Sequence, residues 1–205
     1  MSLPALLIAG LGNPGAQYAR HRHNAGFIIA DELHSHYRFG PWRAKFEGFV
    51  SEGTLGGRKT FLLKPMTYMN DSGVSVGPAL RFYKLPLSAL VVIHDEIDLA
   101  AGKLKVKTGG GDAGNNGLRS ITAALGPDYR RVRVGIGHPG EKARVSGHVL
   151  GAFTKADAEW FVPLVGAMVE AAPLLANDDD AGFMSRVALL LQPAKGPKTA
   201  KDTPP

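Results

Sequence analysis

Leu90-Val91-Val92-Ile93-His94-Asp95-Glu96-Ile97-Asp98 is the stretch from which the fold is read. Four consecutive branched apolar residues without polar alternation predict a strand buried on both faces. Leu6-Leu7-Ile8-Ala9, closed by glycines, reads the same way. Between and after these two strands the pattern alternates. Phe27, Ala30, Leu33 and Tyr37 have helical spacing, and a further helix is expected from Ser72 towards Tyr83, ended by Lys84-Leu85-Pro86. Phe46 to Glu52 and Lys59 to Leu63 flank Gly56-Gly57 as a hairpin would. Lys103 to Lys107 and Arg131 to Ile136 alternate as half-exposed strands. Leu118 to Leu125, Lys155 to Ala176 and Ala181 to Leu191 are expected helices. Interleaved strands and helices predict the α/β class: a single-domain three-layer sandwich, with a twisted mixed β-sheet flanked by helices. The domain is expected to span 1–192. Residues 193–205 are expected to form a disordered basic tail carrying Lys195, Lys198 and Lys201.

Composition narrows the function classes. The 205 residues contain no cysteine, which removes disulfides, thiol nucleophiles, Cys-ligated zinc and iron–sulfur clusters. With 26 glycines and 14 prolines, nearly a fifth of the chain is loop-shaping, against a usual share of about 12%. No apolar run is expected to approach the roughly 18 residues of a membrane span. Met1-Ser2-Leu3-Pro4 lacks the basic start of a signal peptide, so a cytoplasmic protein is expected. The formal charge of +6 suits a phosphate-rich partner as well as it suits any basic domain.

Several motifs carry competing chemistries. Gly10-Leu11-Gly12-Asn13-Pro14-Gly15 matches the G-x-G-x-x-G dinucleotide fingerprint, but Pro14 disfavours helical geometry at Asn13, and Asp31 falls inside a helix. A tight turn that projects Asn13 from the strand's carboxyl end fits better. Gly73-Val74-Ser75-Val76-Gly77 matches the serine-hydrolase elbow, yet a strand is missing before Ser75, which is expected within a helix. His94-Asp95-Glu96 offers oxygen ligands for a hard metal, but neighbours on a strand point to opposite faces. One carboxylate orienting a histidine is the more economical role. His21 and His23 lie just before the first helix. Gly109-Gly110-Gly111-Asp112-Ala113-Gly114-Asn115-Asn116-Gly117 can bring backbone N–H groups close to a ligand, and its asparagines can cap the next helix.

Taken together, Gly12-Asn13-Pro14-Gly15, Arg22-His23-Asn24-Ala25-Gly26, Thr67-Tyr68-Met69-Asn70, His94 to Asp98, the Gly109–Gly117 loop and Arg133 to Gly140 closely resemble bacterial peptidyl-tRNA hydrolase, in order and spacing, over about Leu6 to Leu150. The resemblance implies a monomeric α/β hydrolase needing no metal or cofactor. It would cleave the ester between a peptide and the 3′ ribose of tRNA, recycling tRNA stranded by aborted translation. It implies His23 as catalytic base and Asp95 as its partner. Asn13, Asn70 and Asn116 would handle the peptide and ester, with Asn115 a further substrate-binding position. Tyr18 and Met69 would shape the cleft, and Lys107 and Arg133 would face tRNA phosphates. The chemistry of the residues agrees: histidine titrates near neutrality, a carboxylate fixes its tautomer, and amides donate to an oxyanion without adding charge.

The chain departs from that family's usual pattern in two places. Asn115 stands where His-Asn-Gly would begin, and Asp112 where a histidine is common. Asn115 cannot titrate near neutrality but still donates and accepts hydrogen bonds, so activity is expected to survive with altered substrate contacts or pH dependence. The rival readings are an RNA-binding relative without catalysis and a serine esterase built on Ser75.

Overall fold

Strand β5 (Leu90–Glu96) is buried along its whole length, as its branched residues demand. In the computed structural model, which describes residues 3–193, it sits in a seven-stranded sheet. The sheet order is β2 (Arg43–Lys45), β3 (Gly48–Leu55), β4 (Arg58–Pro65), β1 (Leu6–Gly10), β5, β7 (Arg130–Gly135) and β6 (Leu104–Thr108). The four central strands β4, β1, β5 and β7 are mutually parallel; β2–β3–β4 and β6–β7 pair antiparallel at the two edges.

Strand alternation divides the core into two layers. Leu6, Ile8, Val91, Ile93, Val132 and Val134 pack with α1 (Ala25–His36), α5 (Lys155–Ala176) and α6 (Asp180–Leu190). Leu7, Ala9, Leu90 and Val92 pack on the other face with Val76, Leu80 and Ile121 of α2 (Ser72–Phe82) and α3 (Asn116–Leu125). This is the three-layer α/β arrangement expected from the interleaved pattern.

Two elements lacked a local signature. The β2–β3 turn uses Phe46 and Glu47, both at positive φ (57° and 50°), where glycine or asparagine would have announced a two-residue hairpin. The strand therefore begins at Gly48 rather than Phe46. The short helix α4 (Val145–Val149) is too brief to show a period. The tail from residue 194 onward lies outside the described residues.

Helix α5 differs from the expectation about apolar segments. Its 22 residues reach a window hydropathy of 1.4, sufficient in length and composition to cross a membrane. Half of that window is buried inside the fold, so its apolarity serves packing on the sheet. A reciprocal cap between Thr154 and Asp157 starts the helix. Pro173 lies inside it and cannot donate to the carbonyl of Val169. The Tyr37 hydroxyl donates to that carbonyl instead, at 2.7 Å.

The junction of β1 with α1 positions the site. A Cβ on Gly10 would lie 2.2 Å from the carbonyl oxygen of Gly26. A Cβ on Gly26 would lie 2.3 Å from Leu11 N and 2.4 Å from Ile93 O, two atoms already hydrogen-bonded to each other at 3.0 Å. Only glycines let the first turn of α1 rest directly on the ends of β1 and β5.

Candidate active site

All four parallel strands end at one edge of the sheet, the edge where open α/β sheets collect ligands. A cleft of about 720 Å³ opens there, lined by residues that follow each of these strands: Asn13 after β1, Met69 and Asn70 after β4, Asp95, Glu96 and Ile97 at and just beyond the end of β5, and His138 after β7. Tyr18, His23, Asn115 and Asn116, also expected from sequence, line it too.

His23 belongs to a 3-10 turn, Arg22–Asn24, that leads into α1. The Gly26 contact lowers this turn onto the end of β5, and His23 Nδ1 comes within 2.8 and 3.0 Å of the two carboxylate oxygens of Asp95. A carboxylate only accepts, so Nδ1 carries the proton and Nε2 is left as the basic nitrogen. Asp95 is 4% exposed. Burial is the largest single influence on His23 and lowers its pKa, but the Asp95 charge and hydrogen bond together outweigh it. The net effect raises His23 above its ordinary 6.5.

Asn13 is held by a clamp of backbone and amide groups. Its N–H donates to Asn24 Oδ1 at 2.9 Å, Asn24 Nδ2 returns a bond to the Asn13 carbonyl at 2.9 Å, and Asn13 Oδ1 accepts from Met69 N at 2.8 Å. These bonds fix the amide plane. Its Nδ2, without a protein partner among the described residues, is left for the cleft. Met69 is buried in a 3-10 turn, Met69–Asp71, whereas Asn70 and Tyr68 are exposed at the rim. Asn115 caps α3, its Oδ1 accepting from Gly117 N at 2.9 Å and Leu118 N at 3.2 Å. Asn116 opens the helix and is exposed, its Oδ1 taking Arg119 Nη1 at 3.1 Å.

Lys107 and Arg133 do not line this cleft. They lie with Arg131 on a second, smaller cavity of about 260 Å³, beside the Gly109–Gly111 loop. The strand pleat is the reason. His94 and Glu96 face this side, and Asp95 between them faces the other. Arg133 is tied by Nε to Glu96 Oε2 at 2.9 Å, and Glu96 borders both cavities. The buried His94 gives its Nδ1 proton to the Asp95 carbonyl at 2.7 Å, and burial holds its pKa below 6.5. The three consecutive polar residues thus diverge and do not converge on one ion.

The other motifs resolve locally. Ser75 is fully buried within α2, its Oγ packed against Gly48 at the start of β3 and outside the cleft lining, and Gly73 serves the close crossing of α2 over Ser120 of α3. Gly12 makes room for the Phe27 ring, and α1 starts only at Ala25, so the glycine loop after β1 opens no helix of a dinucleotide fold. His21 packs edge-on against Tyr18 rather than joining His23. Sequence reasoning did not single out Lys142, Val145, Val149 and Leu150, which line the cleft from the 3-10 turn Lys142–Arg144, α4 and the residue after it. Five residues of helix carry too little periodicity to advertise a binding wall.

Comparison with known proteins points the same way. The profile of the family described as peptidyl-tRNA hydrolase matches residues 7–196. A peptidyl-tRNA hydrolase of Mesorhizobium japonicum is 57% identical over 187 residues, covering 91% of this chain and 78% of the relative. One from Parvibaculum lavamentivorans is 57% identical over 197 residues, covering 95% and 96%. Among solved structures, the peptidyl-tRNA hydrolase of Acinetobacter baumannii superposes with a TM-score of 0.85 at 41% identity, covering 90% of this chain and 94% of that one.

Proposed function

The chain belongs to the peptidyl-tRNA hydrolase family, and we propose how its cleft carries out the hydrolysis: His23 acts as general base on water, and Asp95 holds it in register. The protein hydrolyses peptidyl-tRNA, a reaction that needs an activated water and a stabilised oxyanion. The observation that carries the assignment of roles is the His23–Asp95 pair, 2.8 Å apart at the floor of a cleft walled by asparagine amides. With Nδ1 committed to Asp95, Nε2 takes the proton from a water poised over the ester carbonyl joining the peptide to the 3′ ribose. The imidazolium that forms is stabilised by the adjacent carboxylate. It then returns the proton to the departing ribose oxygen, so that acid and tRNA hydroxyl leave with atoms balanced.

The Asn13 amide, locked by Asn24 and Met69, is the best-fixed donor for the developing oxyanion. Such a donor is worth about a hundredfold or more in rate. Asn70 and Asn116, both exposed at the rim, suit the donors and acceptors of a peptide backbone. Tyr18 and Met69 shape the walls. Lys107 and Arg133, at the second cavity, meet phosphates of the acceptor stem, and this binding is sequence-tolerant and weakens with salt. The working unit is a monomer in the cytoplasm, and no step calls on a cofactor.

The test is release of a labelled N-acetyl-aminoacyl group from tRNA by the wild type and by His23→Ala, with chelator present and unblocked aminoacyl-tRNA in parallel. Rapid wild-type release of the blocked substrate, lost in the variant, is expected. Undiminished release by His23→Ala would remove His23 from its role, and inhibition by chelator would overturn the metal-free mechanism.

A further inference from the structure

Asp95 is a buried carboxylate, its side chain only 2% exposed, and a charge so placed needs donors on more than one side. Among the described residues two side chains donate to it. One is His23. The other is Asn115, whose Nδ2 stands 3.4 Å from Asp95 Oδ1, the long end of hydrogen-bond range. The position of that amide is not accidental. Its oxygen is fully committed to Gly117 N and Leu118 N at the start of α3, which fixes the amide plane and leaves only the NH2 group for Asp95. Asn115 is itself 9% exposed. The resemblance in sequence grouped it with substrate contacts, whereas both ends of its amide are directed into the protein.

We infer that Asn115 is a positioning residue for the hydrolysis: its amide ties the N-terminus of α3 to Asp95 and sets how strongly that carboxylate holds His23. The inference rests on the reading of His23 as base. Asn115 shares the charge of Asp95 and so tempers the grip of Asp95 on the imidazolium; removing the donor concentrates that charge on His23. The other ionisable groups bordering the same cleft are Glu96 on β5, Tyr18, Tyr68, His138 and Lys142. None of these is hydrogen-bonded to the imidazole, and Arg22 beside it is paired with Asp157 of α5. Asp95 is therefore the route by which position 115 reaches His23.

Two substitutions separate this role from capping. Asn115→Ser keeps a side-chain oxygen that caps α3 but has no amide to give Asp95. Asn115→Asp keeps the cap and replaces the donor with a second negative charge. The His23 titration is followed directly by NMR of the imidazole ring, alongside the pH profile of kcat/KM on N-acetyl-aminoacyl-tRNA and thermal melts. The expected result for Asn115→Ser is a Tm lower by about 2–4 °C, the cost of one lost donor, with the His23 titration and the acid limb both moved to higher pH by about half a unit. That means about threefold less activity on the limb. Asn115→Asp should move both further in the same direction. A His23 titration identical to wild type in both variants would overturn the inference and leave Asn115 a helix cap alone. A shifted NMR titration with an unshifted kinetic limb would uphold the coupling and count instead against His23 as the base.

Discussion

Replacing Gly26 with alanine adds one methyl group at the point where α1 meets the sheet, and the structure sets the size of the consequence. The new Cβ would sit 2.3 Å from Leu11 N, 2.4 Å from Ile93 O and 2.7 Å from Leu11 O. All three are backbone atoms of the central strands or their immediate extension, and two of them form the hydrogen bond that joins β1 to β5 beyond their ladder. No side chain can swing aside, so the first turn of α1 must lift by about 1 Å to restore ordinary contact, at an overpacking cost of about 1–3 kcal/mol. His23 lies three residues upstream and moves with that turn. Its 2.8 Å bond to Asp95 would open towards 4 Å, beyond hydrogen-bonding range, by ~1 Å of displacement, and an error of that size in a catalytic group costs about a hundredfold in rate. The assay is kcat/KM on N-acetyl-aminoacyl-tRNA at pH 7.5, with a thermal melt of the same preparation. A Gly26→Ala protein with activity within threefold of wild type and an unchanged Tm would refute the argument that close backbone approach positions His23.

The remaining predictions rest on single contacts. Asp95→Asn removes the influences that raise His23 while leaving its burial, so the acid limb of kcat/KM should move to lower pH as the plateau falls by about 10²–10⁴; a limb that moves upward would contradict the assigned cause. Because His23 is raised on folding, its pairing with Asp95 stabilises the protein fully below pH 6.5, and that stability is lost as the pH rises through the higher folded value. The Tm gap between wild type and His23→Gln should therefore be widest in acid and narrow in alkali. Tyr37→Phe leaves the Val169 carbonyl facing Pro173 without a donor and should cost about 1 kcal/mol in denaturant unfolding, with kcat unchanged. Ser75→Ala should hydrolyse substrate at the wild-type rate and be no less stable, since the buried Ser75 hydroxyl has no partner among the described residues; loss of activity would revive the serine-esterase reading.

What a local pattern could specify was legible in the sequence. Leu90–Ile93 and Leu6–Ala9 read as buried strands, and both lie in the centre of the sheet. The 3.6-residue spacing and the break at Lys84-Leu85-Pro86 framed helices that the structure reproduces within a few residues at their ends. Asn115 and Asn116 both read as possible caps of the next helix, and the structure gives the cap to Asn115. The residue types of the site, an imidazole, a carboxylate and several amides beside glycine-rich strand ends, are likewise legible in the sequence. The family resemblance joined them into one site.

Other features depended on contacts between residues far apart in sequence, and only the folded chain decides those. His23 and Asp95 are separated by 72 positions and meet because two glycines, Gly10 and Gly26, let a helix turn and two strand ends touch. The pleat of β5 sends Asp95 to one cavity and His94 to another, with Glu96 at the border of both. Lys107 and Arg133 therefore lie at the second cavity, apart from the cleft that holds the other site residues. The Val169 carbonyl finds its donor 132 positions away, where nothing around Tyr37 announces the match. Periodicity records which side of an element is buried, because burial is a property of each residue against water. Which donor meets which acceptor is fixed by strand register and by the distance at which backbones can pack, and those belong to the assembled sheet and its helices.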